Sequence, residues 1–508
     1  MPHSYVSLSP QLEESLQLTL RELVQDCFAS RIFKKDPSLW GCAVEADAAQ
    51  RLGWVDLFTE SRSLLPRIKA LRELLDERDI ERIVLVGMGG SSLAPEVMTY
   101  NSKIPLVILD STHPDAVKPL IESDLRNTVV IVSSKSGTTL ETDSLRRVFE
   151  KVFEKSRLAF RDHMIAVTDS NSDLDTLARK KNYLAVFNAN PTVGGRYSAL
   201  TAFGLVPSGL AGVDVASLLN NAEELVTVLR EDSASNPGLQ LGAALASFSK
   251  VSLKVTDGPS TWVEQLIAES TGKDGRGILP VLSNNESLPD ALIVNADSVI
   301  QNSIEVHGSL GARFMLWEFA TAVAGNLLEV NPFDQPDVES SKSSTLKKLS
   351  SQPLLPTVTP IEDLTKILNT LLRSIPENGY LAIHSYLNQH ADPRIEQLRE
   401  ILEAKTDHAV TFGWGPRFLH STGQFHKGGP RIGVFLQLVD DSRADVAIPG
   451  KGFTLDGLIT SQAEGDRETL ESLGLRVFRI CLSTTEDQVE QLLTAASVML
   501  HKSLRTSV

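Results

Sequence analysis

The sequence predicts an α/β protein built from two doubly wound parallel-sheet units behind a helical lead-in. Three observations carry the prediction. Short β-branched runs alternate with helix-length segments from Ile80 onward, the pattern of a parallel sheet covered on both faces. The alternation resumes beyond residue 213, so one arrangement is used twice. A chain of 508 residues also exceeds what a single hydrophobic core holds.

Within residues 1–79, Leu12, Leu16, Leu20, Leu23 and Val24 recur at helical spacing, as do the apolar residues from Ser63 to Glu77. That segment is the helical lead-in. The first sheet unit, 80–212, takes strands from Ile83 to Val86, Leu106 to Leu109, Val129 to Val132, Met164 to Val167 and Leu184 to Phe187. The second, 213–450, opens with a helix from Val213 to Glu231. Its strands run from Val251 to Val255, Ile278 to Val281, Ala291 to Val294, Tyr380 to His384, Ala409 to Phe412 and Ile432 to Val439. A helix from Ser309 to Leu328 lies among them, and the Ser-, Lys- and Pro-rich stretch from Ser340 to Pro360 reads as an exposed connection. Residues 451–508 form an α/β tail, with a strand from Arg476 to Leu482 and a helix from Glu486 to His501.

A net charge of −15 argues against non-specific binding to nucleic acid or to an acidic membrane. An anionic ligand must then meet locally placed cations, and Lys135, Arg196 and Lys342 are candidates. Cys27, Cys42 and Cys481 are odd in number and lack metal-like spacing, which points to a reducing compartment, with the cytoplasm as the expected location. The start of the chain has no basic stretch leading into an apolar one, and no run approaches the roughly 18 apolar residues of a membrane span. Ten scattered histidines, without H-E-x-x-H or a zinc-like Cys pair, give no metal site.

Two loops read as phosphoryl cradles: Val86-Gly87-Met88-Gly89-Gly90-Ser91-Ser92 and Ser133-Ser134-Lys135-Ser136-Gly137-Thr138-Thr139. Each follows a β-branched run and opens into a helix, so backbone N–H groups and hydroxyls converge where one anion can sit. Such loops in a doubly wound sheet fall at the carboxyl ends of the strands, where ligands bind. Each turn alone is also compatible with an ordinary strand-to-helix connection. A rival reading makes the first loop a dinucleotide turn with Asp110 on a ribose hydroxyl, but Ser92 stands where the third glycine belongs. No nucleoside triphosphate loop competes, since Gly272-Lys273 is followed by Asp274 and lacks its upstream glycine.

Four further stretches carry chemistry, each with a plainer reading beside it. Val193-Gly194-Gly195-Arg196-Tyr197-Ser198 presents a guanidinium to an oxyanion, or is a surface turn. Glu264 to Lys273 ends an apolar helical run on Glu269, a general base if buried and otherwise a helix-face charge. Asn331 to Lys342 is polar and proline-bounded, a ligand segment or a capped helix start. Leu419 to Gly429 sets His420 and His426 in a glycine-rich loop, where either could titrate near neutrality or simply face solvent.

In this order the stretches resemble the glucose-6-phosphate isomerase family, most closely the isomerase half of bacterial transaldolase fusions. The resemblance runs from about Ile80 to Gly429 and implies SIS-type sugar-phosphate domains for both sheet units. Carried over by motif, Gly90, Ser91, Ser134, Lys135, Ser136, Thr138 and Thr139 hold the sugar phosphate. Arg196 faces the enediolate oxygens, Glu269 moves the proton between C1 and C2, and Lys342, with Gln335 nearby, sits at the far side of the pocket and helps ring opening or substrate positioning. Family members carry the ring-opening histidine between glutamate and lysine. Here G-Q-x-H follows the lysine, as if a segment were permuted, and the expected residue is His426, with His420 in reserve and His307 third. The resemblance further implies a homodimer in which one subunit lends its histidine to the other, a sugar-phosphate substrate, and no metal or organic cofactor. Two other readings stay open: a dual phosphoglucose and phosphomannose isomerase, and a sugar-phosphate-sensing module without chemistry. A transaldolase activity on this chain is not expected, because about 80 residues before the first loop cannot form a (β/α)₈ barrel of at least about 200.

Overall fold

The computed structural model describes residues 5–499 apart from 101, 103, 255–259, 298–299, 352–356, 442–444 and 484–486. Its strands are β1 (Val6–Leu8), β2 (Arg82–Val86), β3 (Leu106–Leu109), β4 (Thr128–Ser133), β5 (Met164–Asp169), β6 (Ala185–Ala189) and β7 (Lys250–Leu253) in the first half of the chain. There follow β8 (Leu279–Leu282), β9 (Ala291–Val294), β10 (Ser303–Val306), β11 (Tyr380–Ser385), β12 (Ala409–Trp414), β13 (Gly433–Asp440) and β14 (Arg476–Leu482).

The first sheet has the order β3-β2-β4-β5-β6 and is parallel throughout. Its central strand β4 is buried along its whole length, which is why it reads as an unbroken apolar run rather than an alternation. From β2 the chain steps one way to β3, then crosses to β4 on the other side. The crevice at such a reversal is where a doubly wound sheet receives its ligand. The turns leaving β2 and β4 are the two Gly/Ser loops.

The second half departs from the expected division. Strands β7 to β10 form one sheet of order β1-β10-β9-β7-β8, to which the amino-terminal β1 adds antiparallel, with Val6 opposite Val306. Strands β11 to β14 form another, wholly parallel sheet of order β12-β11-β13-β14. Residues 213–450 thus do not form one sheet unit. Nor is 451–508 a separate tail, because β14 pairs with β13 from Val434–Arg476 to Asp440–Leu482. Run lengths in a sequence locate strands but do not encode which strands bond, and here the pairing partner decides the boundary.

The lead-in helix Pro10–Gln25 buries Leu12, Leu16, Leu20 and Leu23, the spacing-selected face. It shares a core with the helix Leu310–Leu327, which is buried on nearly every side and accepts a hydrogen bond from Trp40 Nε1 at the Ala322 carbonyl, 3.0 Å. The expected exposed connection is instead a helix, Val338–Ser351, with Val338 and Thr345 buried. Thr345 lies against Gly465 of the helix Leu455–Ser472, whose missing side chain leaves room for it. The remainder of that connection includes 352–356, outside the described residues. The expected extension of a strand to Val255 and the ends of the last helix, which runs Gln488–Ser497, also fall there. Among the described residues no helix is long and apolar enough to cross a membrane.

Candidate active site

The loop after β4 is braced by its own hydroxyls before it enters the helix Leu140–Lys155. Gly137 N–H donates to Ser134 Oγ at 3.1 Å, Ser134 Oγ to Thr139 Oγ1 at 3.3 Å, and Ser136 and Thr138 share a bond of 2.7 Å. Ser136, Thr138 and Thr139 line a cavity of about 440 Å³, closed by Val338 and Thr345 on one side and His420 on the other. Thr139 is the residue before the helix and makes no side-chain cap bond, so the start of a 16-residue helix lies at this cavity. Backbone N–H groups and hydroxyls at a helix start suit a phosphate. Lys135 is not part of the lining: its ammonium pairs with Asp169 at 2.6 Å and donates to the Pro191 carbonyl at 3.1 Å.

The loop after β2 works by close approach. At Gly89, with φ +54°, a side chain would collide with the His420 carbonyl, and at Gly90 with the Gly195 carbonyl. Both glycines therefore let three turns meet, those of residues 87–92, 194–198 and 415–422. Ser91 is half-buried at that junction, whereas the Ser92 hydroxyl is turned inward to the Gly89 carbonyl and Asp110, 3.3 Å each. Asp110 is itself buried and paired with Arg417 at 2.8 Å, so it holds the fold together and is not available to a ribose.

Arg196 is buried and anchored on every nitrogen. Nε donates to Ser270 Oγ at 2.7 Å, Nη2 to the carbonyls of Pro332 and Asp334 at 2.7 and 2.8 Å, and Nη1 to Gln335 Oε1 at 3.0 Å. Nη1 also stands 3.2 Å from Glu269 Oε1. Glu269 lies on the helix Ser260–Thr271, and Gln265, one turn earlier, donates to its Oε2 at 3.0 Å and to the His420 carbonyl at 2.9 Å. A carboxylate so held has a fixed position, as a base serving two neighbouring carbons requires. Lys273 is buried behind this pair, bonded to Asp334 Oδ1 at 2.8 Å. Desolvation, with Arg196 nearby, lowers its pKa to about 7.

The two histidines of the glycine-rich loop differ completely. The His420 imidazole is half-buried, lines the same hydroxyl-lined cavity and shares a bond of 2.8 Å with Glu141 Oε1. Gln462 Nε2 donates to the same oxygen at 2.6 Å. Burial alone would raise the Glu141 pKa, but the facing imidazolium charge and these hydrogen bonds hold the carboxyl below its usual range. His426 is buried instead among Tyr380, His384 and Phe435, with Nδ1 2.9 Å from the Tyr380 hydroxyl. Desolvation, then the neighbouring His384 and Lys427, push its pKa well below the usual imidazole value. His307 lies half-exposed beyond β10, 3.2 Å from Glu305.

With the hydroxyl-lined cavity, the Arg196–Glu269 pair and the His420–Glu141 pair joined through Gln265, the comparison with known proteins becomes specific. Residues 67–253 match the phosphoglucose isomerase family model. The glucose-6-phosphate isomerase of Mycoplasmopsis pulmonis is 28% identical over 388 residues, which cover 59% of this chain and 90% of that one. Residues 67–253 are thus similar to the phosphoglucose isomerase family. A solved hypothetical protein of Thermus thermophilus superposes with a TM-score of 0.56 at 25% identity, covering 68% of this chain and all of that one. The fold is likewise that of a glucose-6-phosphate isomerase from Chlamydia trachomatis, TM-score 0.50 at 20% identity over 71% of this chain and 88% of that one.

Of the residues that the resemblance implies for the site, Arg196 contacts Glu269 and Gln335, while Ser136, Thr138 and Thr139 line the cavity on which His420 stands. Gly90 and Ser91 flank them, Ser134 braces the loop, and Lys135 is held on Asp169. Lys342 falls on the helix Val338–Ser351, whose first turns border the cavity, while its side chain lies outside the described residues. Glu141, Gln265 and Gln424 were missed. Gln424 is fully buried: its amide nitrogen donates to the Gly272 carbonyl at 2.9 Å and Asp337 Oδ2 at 2.6 Å, and its oxygen accepts the Asp337 N–H at 3.0 Å. Glu141 stands two residues past Thr139, and Gln265 stands four before Glu269, a helical spacing visible in the sequence.

Proposed function

We propose that the chain interconverts glucose 6-phosphate and fructose 6-phosphate through an enediolate, as the aldose–ketose isomerase of glycolysis and gluconeogenesis, with His420 rather than His426 opening the ring. One observation carries the assignment of roles: the unbroken contact path Arg196–Glu269–Gln265–His420–Glu141, which ends at the hydroxyl-lined cavity. The phosphate sits on Ser136, Thr138 and Thr139 at the helix start. His420, oriented by Glu141, passes a proton to the ring oxygen as the anomeric hydroxyl loses its own. Glu269 then takes the carbon-bound proton at C2 and returns it at C1, while the permanently charged Arg196 stabilises the oxygens on which negative charge grows. Gln335, bonded to Arg196, borders the other end of the substrate, and Lys342 keeps the assigned part in ring opening or substrate positioning.

His426 is a poor acid–base group where it stands, since its ring is walled off from the cavity and its burial opposes protonation. The late position of the histidine segment supports kinship with the isomerase half of transaldolase fusions. A cytoplasmic homodimer is part of the same reading, with one difference from the expected exchange: His420 meets Glu141 within a single chain.

A coupled assay of fructose 6-phosphate conversion tests this directly. Turnover should be unaffected by EDTA and should fall by about 10² to 10⁴ in Glu269→Gln, the usual range for loss of a general base. Near-native turnover in that variant refutes the role. Mannose 6-phosphate in the same assay separates a strict glucose isomerase from one of dual specificity.

A further inference from the structure

Behind the turn that carries His420 lies a second cavity of about 580 Å³, at the carboxyl ends of β11 and β12. Its size is that of a small-ligand site, and its place is where a doubly wound sheet binds ligands. It shares two walls with the isomerase site. Five residues along a helix turn through about 140°, so the helix Ser260–Thr271 presents Glu269 to one site and Glu264 to the other. The turn of residues 415–422 likewise offers His420 to one and Arg417 to the other.

The charges in this second cavity are nearly all spoken for. Arg417 is paired with Glu96 and Asp110, and Arg399 with Glu400 at 3.0 Å and Glu403 at 3.5 Å. Glu396 accepts the Trp414 indole N–H at 2.6 Å. Glu264 alone among the carboxylates lining the cavity makes no hydrogen bond and no ion pair among the described residues, and Trp414 and Phe412 stand in the same lining. Four carboxyl groups (Glu96, Glu264, Glu396, Glu400) thus face two guanidinium groups already engaged. A phosphate would find no unengaged cation here. An ammonium group would find a carboxyl without a partner beside an aromatic wall.

The geometry points to this cavity as a binding site for an organic amine, of the size of a di- or polyamine, with Glu264 as its counter-ion and Trp414 as its aromatic wall. The site is separate from the isomerase reading and does not depend on it. Burial pushes the Glu264 carboxyl up to about 8, against the pull of Arg417 and Arg399. The imidazole of the lining, His390, has its pKa lowered by its own burial. Glu264 is therefore mostly protonated at pH 7, and capture of an ammonium ion converts it to carboxylate and releases that proton to solvent. Affinity should rise with pH toward 8, by up to about tenfold per unit.

Calorimetry on the full chain with spermidine and putrescine, at pH 6.5 and 8 in two buffers of different ionisation enthalpy, tests the proposal. One amine should bind per chain, at least about tenfold more tightly at pH 8, with release of about one proton at pH 6.5. Glu264→Gln should abolish both binding and proton release while its circular dichroism is unchanged. Trp414→Leu, which keeps the carboxyl, should weaken binding without altering proton release. Inorganic phosphate should give no heat. Absence of amine binding, binding that survives Glu264→Gln, or phosphate bound in place of amine overturns the proposal.

Discussion

His420 and His426 sit on one loop and the short helix Gly423–Gly428 that follows, yet each belongs to a different part of the molecule. His420 faces the hydroxyl-lined cavity and has a carboxylate, Glu141, reaching from the first turn of the helix Leu140–Lys155. His426 points the opposite way, into the layer under β11 and β13, where Tyr380, His384 and Phe435 surround it. Proton transfer needs access and a partner that steadies the charged ring, and only His420 has both. The lesson is that a motif fixes the neighbourhood of a catalytic group, while the facing element chooses which side chain can act.

The comparison breaks most sharply at His420. His420→Asn should lower turnover by about a hundredfold on the cyclic sugar phosphate and much less on an open-chain substrate, measured side by side in a stopped-flow assay. Equal losses on both would move His420 out of ring opening. Glu141→Gln keeps the hydrogen bond but removes the charge and should cost about tenfold in kcat. It should also flatten the acid side of the stability profile. The folded Glu141 pKa lies below that of the unfolded chain, so its stabilising contribution is complete above about pH 4.5. It is lost as pH falls through the lower folded value, and denaturant titrations of both forms between pH 3 and 6 read the difference.

At the phosphate end, Thr138→Ala should raise KM several-fold, whereas Lys135→Ala, whose ammonium is committed to Asp169, should change KM less than twofold. Steady-state kinetics decides, and the reverse order would put Lys135 on the substrate. The smallest catalytic effect is expected at His426→Phe, with kcat within about threefold of the native value. Its cost should appear as lost stability of about 1–3 kcal/mol, from a buried Tyr380 hydroxyl left without its partner. A thermal melt reads it.

Most strands of the three sheets are legible in the sequence because buried parallel strands are continuous β-branched runs, as β4 shows. Pairing is not legible, and β14 reads as part of a tail although its ladder lies with β13. The helix Val338–Ser351 is hidden by its composition: Ser and Lys dominate it, and its docking shows in the buried Val338 and Thr345, the glycine opposite, and Lys348 paired with Glu468. At the site, Arg196 and Glu269 are legible because each sits in a local motif, G-G-R-Y-S and E-S-T-G-K, even though Arg196 is anchored by Ser270, Pro332, Asp334 and Gln335 far along the chain. His420 ranks behind His426 on sequence alone because its qualification is Glu141, 279 residues away. No local pattern carries such a partner.

That separation has a consequence for how the protein comes to life. The first sheet closes on residues up to Ala189, but the His420–Glu141 pair awaits a segment made long after, and Gln462, which steadies Glu141, comes later still. Closing so wide a loop is a late and slow event. During synthesis or refolding, helical and sheet signals should therefore be restored well before the first turnover, and activity becomes the reporter of the final docking step.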